Sequence, residues 1–182
     1  MKKIILTFGL ISGAISSLMM AATMPFQHAI PYDKALIVGY TSIVLSFLLV
    51  FFGMRSYRDN AAGGRITFAK AFGVGIAITL ISCLCYVVTW EIIYFNFMHN
   101  FMDDYNAHAI AKVKASGASP AAIQQKLEQL KKSRELYENP IYNAALTFIE
   151  PFPVGLVMTL ISALVVKRKA PLLANSAVTA SS

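Results

Sequence analysis

Four stretches of twenty or more mostly apolar residues set the terms on which this chain can fold. A helix needs about 20 such residues to cross roughly 30 Å of hydrocarbon. Residues 4–23, 35–54, 68–97 and 141–166 each meet that requirement. An ordinary soluble domain is about 25% charged and 45–50% apolar. This chain is 14% charged and 57% apolar, and the missing charge is missing from these segments. The expected fold is therefore all-α, a four-helix transmembrane bundle whose first partner is the lipid bilayer. One membrane domain over residues 1–169 suits the length. The small, uncharged tail over residues 170–182 is expected to be disordered.

The first stretch resembles a signal peptide in having Lys2 and Lys3 before an apolar run. It is longer than a usual signal core, and Met20-Ala21-Ala22-Thr23 makes a poor cleavage site. Gly9, Gly13, Ser17 and Ala21 recur at every fourth position and form a smooth face of small side chains. In lipid such a face lets backbones approach closely, so it is read as a retained packing surface that also offers a route to self-association.

Orientation follows from the basic residues. Lys2 and Lys3, then Arg55, Arg58, Arg65 and Lys70, then Lys167, Arg168 and Lys169 flank the apolar stretches on one side, nine cations against the single acid Asp59. The other side carries seven cations against six acids, most of them in the long connection before the fourth stretch. Both termini are expected in the cytoplasm. The net charge of +7 is spread around apolar runs, not gathered on a soluble face, which excludes nucleic acid as a partner. Cys83 and Cys85 are two residues apart, about 200° around a helix, so they can neither pair nor share a metal.

The long connection is expected to be ordered. No Gly or Pro interrupts residues 76–116, so the third helix should continue beyond the membrane surface. Gly117 suits a helix end, Ser119-Pro120 a new start, and Asn139-Pro140 the start of the fourth crossing. Ile123, Leu127, Leu130 and Tyr137 fall on one face of the second arm, opposite Phe101, Tyr105 and Ala109 on the first. The expectation is an extracytoplasmic helical hairpin over about residues 98–139, roughly 25 Å tall at 1.5 Å per residue.

Glu91 and Glu150 are the only acids inside the apolar stretches. A carboxylate at membrane depth is costly and marks a candidate functional site. Counting about 1.5 Å per residue from the outer ends, both lie roughly 9–11 Å deep, so adjacent antiparallel helices would let them share one outward-facing polar pocket. Thr89, Trp90, Tyr94 and Thr147 are candidate lining residues. Pro151 and Pro153 remove two backbone donors beside Glu150 and are expected to break the helix there. These are the ingredients of a cation or proton site; the plainer alternative is that the two acids only stabilise packing.

Other candidates are weaker. His99 with Asp103 and Asp104 with His108 have the spacing of metal half-sites, but the pairs face opposite sides of one helix, and a complete site would need His28 or another chain. No metal or cofactor is expected. Arg55, Arg58 and Arg65 around Gly63-Gly64 suit anionic lipid headgroups or a topogenic role.

Ser56-Tyr57-Arg58-Asp59, Gly63-Gly64 leading to Phe68-Ala69-Lys70-Ala71-Phe72, and Tyr105 with His108 carry a resemblance to a known family. Ala115-Ser116-Gly117-Ala118-Ser119, Glu150-Pro151-Phe152-Pro153-Val154-Gly155-Leu156 and Leu160-Ile161-Ser162-Ala163-Leu164 extend it. The chain resembles the bacterial membrane-protein family catalogued as domain of unknown function 4199. The resemblance implies the four-helix plan, a bacterial cytoplasmic membrane and a standing role for the long connection. It implies no catalytic residues.

Two functions compete. In the first, a small membrane protein, self-associated through Gly9, Gly13 and Ser17, binds or moves a cation, proton or small solute at Glu91 and Glu150. In the second, a non-catalytic accessory or scaffold protein recognises a protein partner through the outer hairpin. An enzyme is disfavoured because no nucleophile stands with a base and no nucleotide fingerprint occurs.

Overall fold

The computed structural model of the protein describes residues 1–23, 32–98 and 100–167. The expected tail, Arg168, Lys169, His28 and His99 lie outside the described residues. The described chain forms seven helices: α1 Lys2–Thr23, α2 Tyr32–Ala61, α3 Phe68–Phe97, α4 Phe101–Ala115, α5 Pro120–Tyr137, α6 Pro140–Ile149 and α7 Pro151–Val166. Four stretches, with α6 and α7 taken together as one, are long and apolar enough to cross a membrane.

α2 and α3 form the central pair. α1 packs in the groove on one side of it and α7 in the groove on the other. Phe47, Val50 and Met54 of α2, Val74 and Ile78 of α3, and Ala163 and Val166 of α7 make the core. The outer surface is oily: Leu6 and Leu10, Leu45, Leu80 and Leu84, Val157 and Ile161 are all exposed. An exposed apolar surface of this extent is a liability in water and a requirement in lipid.

What lies inside is correspondingly small and polar. Ser12 Oγ donates to the Ser46 carbonyl at 2.8 Å and meets Ser82 Oγ at 3.0 Å, tying α1, α2 and α3 together. Thr79 and Thr159 hydroxyls meet at 2.9 Å between α3 and α7. A Cβ added at Gly13 would stand 2.5 Å from Cys85 Cβ, and one at Gly155 would stand 2.5 Å from Thr79 Cγ2. Close backbone approach, more than side-chain bulk, packs these helices. The face of Gly9, Gly13 and Ser17 is thus spent on α3 within the chain, which corrects its expected use in self-association.

Local signals account for the element ends. Thr67, Ser119 and Asn139 side chains accept backbone N–H groups of α3, α5 and α6, and Pro120 and Pro140 open their helices where no donor is needed. The α2–α3 turn uses Gly63 and Gly64 at φ +62° and +77°, with the Gly64 N–H donating back to the Arg58 carbonyl at 2.9 Å.

Three expectations need correction. α2 runs on to Ala61, beyond the end expected at Met54. α3 does not continue to Ser116 but ends at Phe97, and α4 restarts at Phe101. The break carries Phe101 back against Trp90, with ring centroids 5.1 Å apart, an aromatic contact that a straight helix would forgo. α4 and α5 pack on one another. Along the face expected between them, however, only Leu130 is buried, and Leu127 is exposed.

Candidate functional site

The fourth apolar stretch is a broken helix. Asn139 Oδ1 accepts the N–H groups of Ile141 and Tyr142, and α6 runs from Pro140 to Ile149. Glu150 stands at the joint and Pro151 opens α7. Pro153 falls in the first turn of α7, where backbone donors have no intrahelical partner, so the two prolines make one break and not two. The joint lets the halves pack differently. α7 seats against both α2 and α3, whereas α6 seats against α3 and α5.

Where α6 parts from α2 there is a cavity of about 560 Å³. Tyr40 lines it from α2, Tyr86 and Trp90 from α3, Phe101 from α4, Tyr137 from α5, and Thr147 and Glu150 from α6 and the joint. Tyr86 donates its hydroxyl to Glu150 Oε2 at 3.4 Å. The Glu150 side chain is exposed at the cavity, not sealed between helices.

Behind the cavity wall the polar contacts are satisfied. Asn143 is fully buried; its Oδ1 accepts from Trp90 Nε1 at 3.0 Å and from Thr147 Oγ1 at 3.2 Å, and its Nδ2 donates to the Tyr137 carbonyl at 3.1 Å. Tyr94 stacks on Trp90 and meets Tyr137 edge-on, with centroids 6.0 and 5.2 Å away. Phe101 lies nearly parallel to Tyr137 at 6.4 Å. Burial pushes the Tyr137 phenol up to about 12. The result is a rigid aromatic wall fixed through one asparagine.

Of the six expected pocket residues, Trp90, Thr147 and Glu150 line the cavity, and Tyr94 supports the wall from behind. The other two lie elsewhere. Thr89 faces α1, donating to Ser17 Oγ at 2.8 Å. Glu91 does not line the cavity; five residues from Tyr86, it lies about 140° around α3. Its Oε1 is buried without a hydrogen-bond partner among the described residues, while the residue as a whole is half-buried. The two acids therefore do not meet in one buried pocket, because helix rotation places them on different faces.

Sequence reasoning passed over Tyr40, Tyr86 and Asn143, and it assigned Phe101 and Tyr137 to the facing sides of the hairpin instead of the cavity. Spacing held part of the signal. Tyr86, Trp90 and Tyr94 recur every four residues on α3, and Asn143, Thr147 and Glu150 follow a four-then-three pattern, one stripe along each helix.

The other candidates resolve into structural roles. Arg58 is buried; its Nη1 donates to the Val166 carbonyl at the end of α7, and Nε and Nη2 grip Asp59 at 2.6 and 3.1 Å, so it is not presented to lipid headgroups. Arg55 and Arg65 are exposed. Asp103 pairs with Arg134 across α4 and α5. No group of three or more potential metal ligands occurs among the described residues.

No curated protein and no solved structure matches the chain. A family model matches residues 7–168, nearly its whole length. The four apolar helices and the match together agree with what the sequence resembles: the chain belongs to the family described as Protein of unknown function (DUF4199).

Proposed function

We propose that this protein sits in a bacterial cytoplasmic membrane with both termini inside, and binds a small cationic solute from the outer side in the Glu150 cavity. The observation that carries the reading is a carboxylate placed at a helix joint, open to a cavity with no basic side chain in its lining among the described residues. Ionisable groups within apolar crossings mark ion and solute pathways by default. Broken crossing helices are tolerated where they line a cavity. Glu150 is the charge partner, Tyr86 orients it, and Thr147 adds a hydroxyl. The α4/α5 pair forms the cavity's outer rim as an extracytoplasmic hairpin.

The chain contains one tryptophan, and it lines the cavity. Emission from Trp90 during titration of the purified chain with methylammonium and potassium chlorides therefore reports binding directly. Saturable change in wild type that is lost in Glu150→Gln supports the reading. Identical curves in the two proteins, or no response to any cation, rule it out.

A second reading, recognition of a protein partner by α4 and α5, draws on the exposure of Leu127 on the face where the arms were expected to close. Leu127→Asp leaves the cavity untouched, and loss of a co-purifying partner in that variant alone would favour this alternative.

A further inference from the structure

We infer that the Glu150 cavity takes an organic ammonium ion, tertiary or quaternary, and not a bare metal cation. This rests on the reading of the cavity as a cation site and specifies its ligand. The first argument is donor chemistry. Hard cations such as Ca²⁺ and Mg²⁺ take six or more oxygen ligands in a close shell. Among the described residues the cavity offers one carboxylate and five rings, and aliphatic side chains make up most of the rest of its lining. The second is size. About 560 Å³ lies within the range of pockets that enclose organic ligands and far exceeds the space of a dehydrated ion.

The third argument is ring placement. Trp90 and Phe101 both line the cavity and meet edge to face at 78° with centroids 5.1 Å apart. Tyr86 and Tyr137 add further rings, and Tyr40 closes the side toward α2. An alkylated ammonium spreads its charge over C–H groups that are poorly hydrated and attracted to aromatic faces. Such a cage with a single carboxylate at its edge suits that cation. It leaves a metal ion short of ligands and a neutral solute without use for the charge.

Trp90 emission tests this on the full chain in detergent, with tetraethylammonium, choline, potassium and the neutral choline isostere 3,3-dimethyl-1-butanol as probes. Tetraethylammonium and choline should saturate the signal, and potassium and the alcohol should not. Tyr40 is 45% exposed and absent from the core, so truncating it leaves the fold intact. Tyr40→Leu should weaken tetraethylammonium binding about tenfold, while Tyr40→Phe, which keeps the ring, should bind as wild type. Saturation by potassium without the quaternary ions would overturn the inference and leave the Glu150 cation site standing. Equal saturation by the alcohol and choline, or no saturation by any probe including methylammonium, would sink both. Unchanged tetraethylammonium affinity in Tyr40→Leu would remove the aromatic cage.

Discussion

Trp90 donates its indole N–H to Asn143, 3.0 Å away, and through that one bond the aromatic wall of α3 is tied to α6. Asn143 holds three partners at once, counting Thr147 and the Tyr137 carbonyl. It joins α3, α5 and α6 from a fully buried position.

Replacing Asn143 by Ala removes those bonds and leaves the part-buried Trp90 indole N–H without its acceptor. The expected cost is about 1–3 kcal/mol, the desolvation penalty of an unsatisfied group. Thermal unfolding in detergent should show a lower Tm, and Trp90 emission should shift. A variant as stable as wild type would mean that the network carries no stability.

The seat of α1 on α3 depends on Gly13. A valine there meets the Cys85 side chain and should cost about 1–3 kcal/mol by overpacking. Gly39 on α2 has nothing within 4 Å of an added Cβ, so Gly39→Ala should be neutral or stabilising by up to about 1 kcal/mol. Paired Tm measurements settle the contrast. Equal effects at both glycines would argue against the tight α1–α3 seat.

Two neighbouring arginines should behave differently. Arg58 is buried and bonds the last carbonyl of α7, so Arg58→Ala should cost about 1.5–3 kcal/mol. Arg55 meets Asp59 at 3.6 Å with both side chains largely exposed, and Arg55→Ala should change stability by less than about 1 kcal/mol. Urea or thermal unfolding distinguishes them; a larger loss at Arg55 would reverse the assignment.

On the connecting arms, the cap should outweigh the ion pair. Asn139 satisfies two N–H groups at the start of α6, and Asn139→Ala should cost about 0.5–2 kcal/mol. Asp103→Ala removes an exposed partner of Arg134 and should cost less than about 1 kcal/mol. Hydrogen exchange at the start of α6 should rise in the first variant and stay unchanged in the second.

Some features were legible because their causes are local. Asn139-Pro140, Ser119-Pro120 and Gly117 mark helix ends through side chains and backbone angles that each residue carries with it. Glu150 stands out in sequence because a carboxylate is conspicuous among apolar neighbours. Its partner was not legible. Glu91 matches it in depth, but depth along a helix says nothing about rotation, and α3 is apolar on every side, so no amphipathic stripe reveals which face meets α6. Tyr86 reaches Glu150 in its place.

By itself, then, the sequence determined four stretches long and apolar enough to cross a membrane, the caps that start the connecting helices and the proline joint beside Glu150, because hydropathy, capping and missing backbone donors act within a few residues. Only the tertiary structure decided that Gly13 faces Cys85, that Arg58 closes α7, that α3 stops at Phe97, and that five rings gather where α6 leaves α2. Those choices depend on helix rotation and on contacts between residues far apart in the chain, and in a bundle whose exterior is as apolar as its core hydropathy does not encode them.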